Sequence, residues 1–185
     1  MYHIKNDKRA QTSSELICAG LLACMKEKPF ARITITDVQH ASTVSRSTFY
    51  RNFDCLEDVL ALLCDRGFQA VFTEYNALPP AQRGSLAKAV FQYWFRNSAV
   101  LEVLVQIHRT DILFDSLRRS SGLIEALQPM ADDPARFDYF VAIITSSMIG
   151  VLTVWVEHGK TETENQMVQK LTSAFIEMAI LELPG

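Results

Sequence analysis

The chain has 185 residues, 49% of them hydrophobic and 21% charged, at a net charge of −3. That length buries a sizeable core and that composition is ordinary for a globular protein, which excludes a disordered chain and a disulfide-stapled miniprotein. The mean charge hides an asymmetry: residues 1–53 carry eight basic side chains against four acidic ones, a local +4 that leaves −7 on residues 54–185 and suits contact with phosphates at one end.

The stretch Met1 to Arg9 lacks the apolar segment of a secretory signal, so a cytoplasmic protein is expected. Apolar residues recur at three- and four-residue spacing and long period-2 runs are absent, which predicts an all-α fold. A first helix is expected over residues 12–28, with Ser13 or Ser14 as N-cap, Ile17, Leu21 and Cys24 on its apolar face, and Pro29 ending it. Thr34-Ile35-Thr36-Asp37 has the form of a capping box and opens a short helix that runs to Ser42. Ser45 offers a second cap, and a second short helix carries Arg46, Ser47, Thr48, Phe49, Tyr50 and Arg51 up to Phe53. A longer helix begins at Asp54 or Cys55, with acids in its first turn, and reaches Ala77. Pro79, Pro80 and Gly84 make a loop that is a candidate boundary. Further helices are expected near 85–97, 98–108, 110–127, 135–158 and 163–182, separated by Gln128-Pro129, Asp132-Asp133-Pro134 and Gly159-Lys160-Thr161. Gly159 sits where a C′ glycine would close the long apolar helix.

Tyr139 to Val156 is an uncharged run near the lower length of a membrane span. It contains Thr145, Ser146, Ser147, Gly150 and Thr153, and no Lys/Arg cluster anchors its ends, so a buried helix rather than a membrane segment is expected. Cys18, Cys24, Cys55 and Cys64 form no CxxC pair and read as buried free thiols in a reducing compartment.

The two short helices at 34–42 and 45–52, joined by a turn of about three residues, form a helix-turn-helix candidate. The second helix has the residue types that a major-groove reader needs. Arg46 can fork onto a guanine, Ser47 and Thr48 offer hydroxyls and a methyl, and Tyr50 can set its hydroxyl on a phosphate. Phe49 and Phe53 would turn inward with Ile35, Val38 and Val44.

The run Thr34-Ile35-Thr36-Asp37-Val38, then Val44-Ser45-Arg46-Ser47-Thr48-Phe49-Tyr50-Arg51-Asn52-Phe53, then Glu57-Asp58-Val59-Leu60 resembles the N-terminal signature of TetR/AcrR transcriptional regulators. The Arg-Ser-Thr-Phe-Tyr string and Leu56-Glu57-Asp58 resemble a subgroup common in Gram-positive bacteria. The resemblance implies an N-terminal three-helix DNA-binding domain, residues 1–55, joined by a long helix to a C-terminal helical domain, residues 56–185, that dimerises and senses a ligand. It implies a homodimeric regulator, usually a repressor, on a palindromic double-stranded DNA operator. It carries Thr34, Thr36, Arg46, Ser47, Thr48, Tyr50, Arg51 and Asn52 over as DNA contacts. The chain departs from the pattern at Gln39, at Thr43 where the turn glycine is usual, at Asn52, and at Leu56 where a phosphate-touching lysine often stands.

The C-terminal part is less distinctive. Ser146, Gly150 and Thr153, with Trp155 beyond them, form a small-residue stripe suited to a homodimer interface. Aromatic density at Phe68, Phe72, Phe91, Trp94, Phe95 and Phe114, with His108 as a polar neighbour, places a candidate pocket for a small apolar or aromatic ligand there. No phosphate-binding glycine loop, HExxH or GxSxG occurs and the four His are scattered at 3, 40, 108 and 158, so neither an enzyme nor a metal or cofactor site is expected. The alternatives are a helical protein-interaction module and a regulator with no small-molecule inducer.

Overall fold

The computed structural model describes residues 2–125, 127 and 133–181, and every regular element among them is helical. The chain packs into two compact units, Met1–Arg66 and Gly67–Gly185, whose boundary falls inside one long helix.

The first unit contains α1 (Lys8–Glu27), α2 (Ile35–Ser42), α3 (Arg46–Asn52) and the opening turns of α4 (Leu56–Ala77). Helix α1 begins at Lys8 rather than near residue 12, because Asp7 is the N-cap and its carboxylate accepts the Ala10 N–H at 2.8 Å. Ser13 and Ser14 lie inside the helix and donate their hydroxyls back to the Arg9 and Gln11 carbonyls. Gly20 is required where α1 meets α2: a Cβ there would lie 2.8 Å from Ser42 Cβ and 3.0 Å from the Val38 carbonyl oxygen. Ile17, Leu21, Val38, Phe49, Phe53, Val59 and Leu60 are buried. Burying each Phe contributes roughly 1.5–3 kcal/mol. The cysteines are free, with Cys18, Cys24 and Cys64 buried and Cys55 half-buried in the turn before α4. Burial pushes the Cys18 thiol up to about 11, so it stays protonated and inert at neutral pH.

The second unit continues α4 and adds α5 (Leu86–Arg96), α6 (Ser98–Gln106), α7 (Thr110–Ser120), α8 (Pro134–Glu157) and α9 (Glu164–Leu181). Helix α7 stops short of residue 127 and passes into a 3-10 turn, Ser121–Leu123, where the Ser121 hydroxyl donates to the Arg118 carbonyl at 2.7 Å. The expected breaks at Gln128-Pro129 and Asp132 lie outside the described residues. The Pro79-Pro80-Gly84 loop is no free linker, because Arg83 donates to the Asn76 and Leu78 carbonyls and pairs with Glu125 at 2.7 Å. Proline and glycine reported a turn there and carried no information about these anchoring bonds. Gly159, at φ +73°, ends α8 as expected. Lys160 N–H donates to the Trp155 carbonyl and Gly159 N–H to that of Val156, the paired bonds of a Schellman motif.

Candidate nucleic-acid interface

Helix α2 is fixed by a complete capping box. The Thr34 hydroxyl accepts the Asp37 N–H at 3.2 Å, and the Asp37 carboxylate accepts the Thr34 N–H at 2.7 Å. Lys28 reaches the same carboxylate at 2.7 Å. The Lys28 hydrogen bond first, and then those from Thr34, hold Asp37 well below the usual carboxylate range. The turn is closed by Thr43 at φ 57° and ψ 19°, a left-handed conformation carried by a β-branched residue. Helix α3 is then capped by Ser45, whose hydroxyl accepts the Thr48 N–H.

The short α3 has two unlike faces. Phe49, Asn52 and Phe53 point into the unit, with the two phenyl centroids 5.7 Å apart. Arg46, Ser47, Tyr50 and Arg51 are exposed, as are Thr34 and Thr36 at the start of α2, and Thr48 is half-buried. Arg46 and Tyr50 form a pair one turn apart: Arg46 Nη2 donates to the Tyr50 hydroxyl at 3.4 Å and its guanidinium sits 5.5 Å from the ring centre. An arginine and a phenol are thereby held together at the surface.

Asn52 has a different place from the one the resemblance implied. It is only 1% exposed, and its Nδ2 donates to the Thr48 carbonyl at 2.8 Å, so it lies on the buried side of α3 and not on the face shared by Arg46 and Tyr50. Leu56 is also buried, which leaves an apolar side chain where a phosphate contact is usual.

The aromatics of the second unit serve mainly as core. Phe68, Phe91 and Trp94 are buried, with Phe68 stacked on Phe72 and edge-on to Trp94, and Phe95 stacks on Trp155 with centroids 4.2 Å apart. His108 is exposed and left-handed at the end of α6, and Phe114 is half-buried. A cavity of about 560 Å³ lies elsewhere, between α5, α7, α8 and α9, and of the aromatics expected at a pocket only Phe72 lines it. Its walls are apolar, from aliphatic side chains such as Val90, Leu117, Ile144 and Met148 and from Phe140 and Phe175, with hydroxyls from Ser121 and Thr145. Among the described residues no group of His, Cys, Asp and Glu is arranged to hold a metal ion.

On α8, Ser146 and Gly150 are exposed and Thr153 is half-buried, with open space around a Cβ built on Gly150. Trp155 is 4% exposed and donates its indole N–H to the Glu162 carbonyl at 3.1 Å, so it packs within its own unit instead of at an outer face.

Residues 85–177 match the TetR_C_8 family model, described as a transcriptional regulator C-terminal region. Similar solved structures include Lin0861 from Listeria innocua, at a TM-score of 0.75 and 17% identity over 95% of this chain and 96% of that one. A protein from Syntrophomonas wolfei assigned to the TetR family of transcriptional regulators aligns at a TM-score of 0.64 and 18% identity, covering 94% and 97% of the two chains. A TetR transcriptional regulator from Streptococcus agalactiae gives 0.59 and 18%, covering 91% and 96%. At such identities the likeness is one of fold. No curated protein matches the chain.

Proposed function

Because the chain belongs to the TetR family of transcriptional regulators, we propose that it is a homodimeric repressor that reads a palindromic operator with α3 and is released by a small ligand. The observation that carries the DNA-reading role is α3 itself, a capped helix that buries Phe49 and Phe53 and displays Arg46, Ser47, Tyr50 and Arg51. Such a helix enters the major groove with its N-terminal side chains at the base edges. In this reading Arg46 and Ser47 read bases, Thr34, Thr36, Tyr50 and Arg51 hold phosphates, and Thr48 packs beside them. This work is done in the cytoplasm, where the DNA is.

The division of labour has a direct test. Tyr50→Phe removes a phosphate partner and lowers affinity for all duplexes alike, whereas Arg46→Ala relaxes discrimination at particular base pairs. Gel-shift titrations in which neither variant alters affinity for a duplex selected by the native chain would sink the assignment of α3.

For sensing, the supporting observation is the 560 Å³ cavity, whose size and apolar walls suit a small apolar or aromatic molecule. For self-association it is the outer face of α8 and α9, where Tyr139, Ile143, Ile176 and Met178 are exposed.

A further inference from the structure

The N-terminal segment is fastened to the body of the first unit. His3 N–H donates to the Asn52 carbonyl at 2.9 Å, His3 Nε2 lies 3.0 Å from Asp54 Oδ1, and the Tyr2 hydroxyl donates to Asp65. These attachments hold residues 2 and 3 against the end of α3, the residue Asp54 before α4 and the third turn of α4, and so restrict where Lys5 can lie. Lys5 joins Arg9, on the first turn of α1, and Arg51, on α3, around a cleft of about 310 Å³.

Three cationic side chains share this cleft with one carboxylate, Asp7, which is already engaged as the cap of α1. Like charges gathered in one place repel, and an anion between them reverses the sign of that interaction. Asn52 also lines the cleft; its Oδ1 is buried and has no partner among the described residues, whereas its Nδ2 donates to the Thr48 carbonyl. A buried acceptor left in this way calls for a hydrogen-bonding occupant, such as a water carried with a bound anion. Arg51 belongs both to the cleft and to the exposed face of α3, so an anion here lies beside whatever α3 touches. Meanwhile the start of α4 offers only Leu56, buried, followed by Glu57 and Asp58.

We propose that this cleft seats one phosphate of the DNA backbone, bound by Lys5, Arg9 and Arg51, flanking the bases read by α3. The site rests on the helix-turn-helix reading and extends the footprint onto the N-terminal segment and α1. It supplies from that side the positive charge that Leu56 withholds at α4.

The test uses the full chain and the duplex that the native chain itself selects from a random-sequence pool, with affinity followed over a range of salt. The Lys5→Ala/Arg9→Ala variant is expected to bind roughly tenfold more weakly at low salt, the loss of a charge-assisted contact. Its log–log salt slope flattens by about 1, the value for one phosphate contact. The ranking of base-substituted duplexes stays as in the native chain, and Lys5→Arg/Arg9→Lys restores the slope. Both side chains are exposed, so the melting temperature is expected to be unchanged; if the double variant melts early, Lys5→Ala alone carries the measurement. Native affinity and native slope in the alanine variant overturn the proposal. A native chain that selects no duplex refutes the parent reading instead, and an Arg46→Ala defect beside an unaffected Lys5→Ala/Arg9→Ala variant refutes only the cleft.

Discussion

Thr43 holds the turn between α2 and α3 in the left-handed region, at φ 57° and ψ 19°. An L-residue in that conformation is disfavoured by roughly 1–2 kcal/mol, and β-branching makes it a genuine outlier. Glycine removes the clash but gains freedom in the unfolded chain, which offsets about 0.4–1 kcal/mol. The Thr43 side chain is exposed, so its loss takes little packing with it. Thr43→Gly is therefore expected to stabilise the protein by about 0.5–1 kcal/mol, the difference between those two effects. For a chain of this length that raises Tm by roughly 1–4 °C. Thermal melting by circular dichroism measures the shift, and urea unfolding should move the midpoint upward at constant m. Thr43→Ala is the control, since alanine keeps the Cβ and should gain far less. A Thr43→Gly protein that melts below the native one would refute the strain assignment and show that the threonine side chain itself holds the turn.

Gly20→Ala adds a methyl against Ser42 Cβ and the Val38 carbonyl oxygen; overpacking of roughly 1–3 kcal/mol exceeds the helix-propensity gain of about 1 kcal/mol, so urea unfolding should show a net loss. A gain in stability would mean that α1 and α2 have room between them. Ile143→Glu places a charge on the exposed apolar face of α8 and is expected to turn a dimer into a monomer at micromolar concentration by light scattering, whereas a native chain that is already a strict monomer would refute self-association. Stability should fall in acid. Asp37 is held low by Lys28 and Thr34, Asp54 by His3, Asp111 by Arg109, and Glu102, despite the opposing effect of burial, by Lys160 and Ser98. Depressed carboxylates stabilise above their unfolded pKa and lose that contribution as pH falls through the folded values, so Tm should hold down to about pH 5 and drop below about pH 4. A Tm that rises through that window contradicts these assignments.

How much of this could be read beforehand depended on whether the determinant was local. The capping box at Thr34 and the Ser45 cap act within a few residues, and both appear where the sequence pattern placed them. The start of α1 was hidden because its first turn is polar and Asp7, not Ser13 or Ser14, supplies the cap. Asn52 is polar by type, yet its spacing marks its burial: with Phe49 and Phe53 it occupies positions i, i+3 and i+4 of the buried face. Trp155 follows the same rule, standing at i, i+4 and i+7 with Met148 and Leu152. The cavity was illegible because the space between Val90, Leu117, Ile144 and Met148 depends on how helices distant in sequence meet, which local aromatic density does not report.

Helix α8 poses a sharper problem, since by length and composition it could cross a membrane. Its inner face, Val141, Thr145, Met148, Leu152 and Trp155, is buried. The outer stripe holds Tyr139, Ile143, Ser146, Gly150 and Val154, with Tyr139 75% and Ile143 53% exposed. A helix apolar all round needs cover on both sides, and its own unit covers one. A second helix would use the small residues on the outer stripe, because Ser146 and the open space at Gly150 permit close approach. The outer stripe has the apolar and small side chains that packing against another helix uses, and in the proposed dimer that helix belongs to a second copy, which would bring a second α3 to the operator.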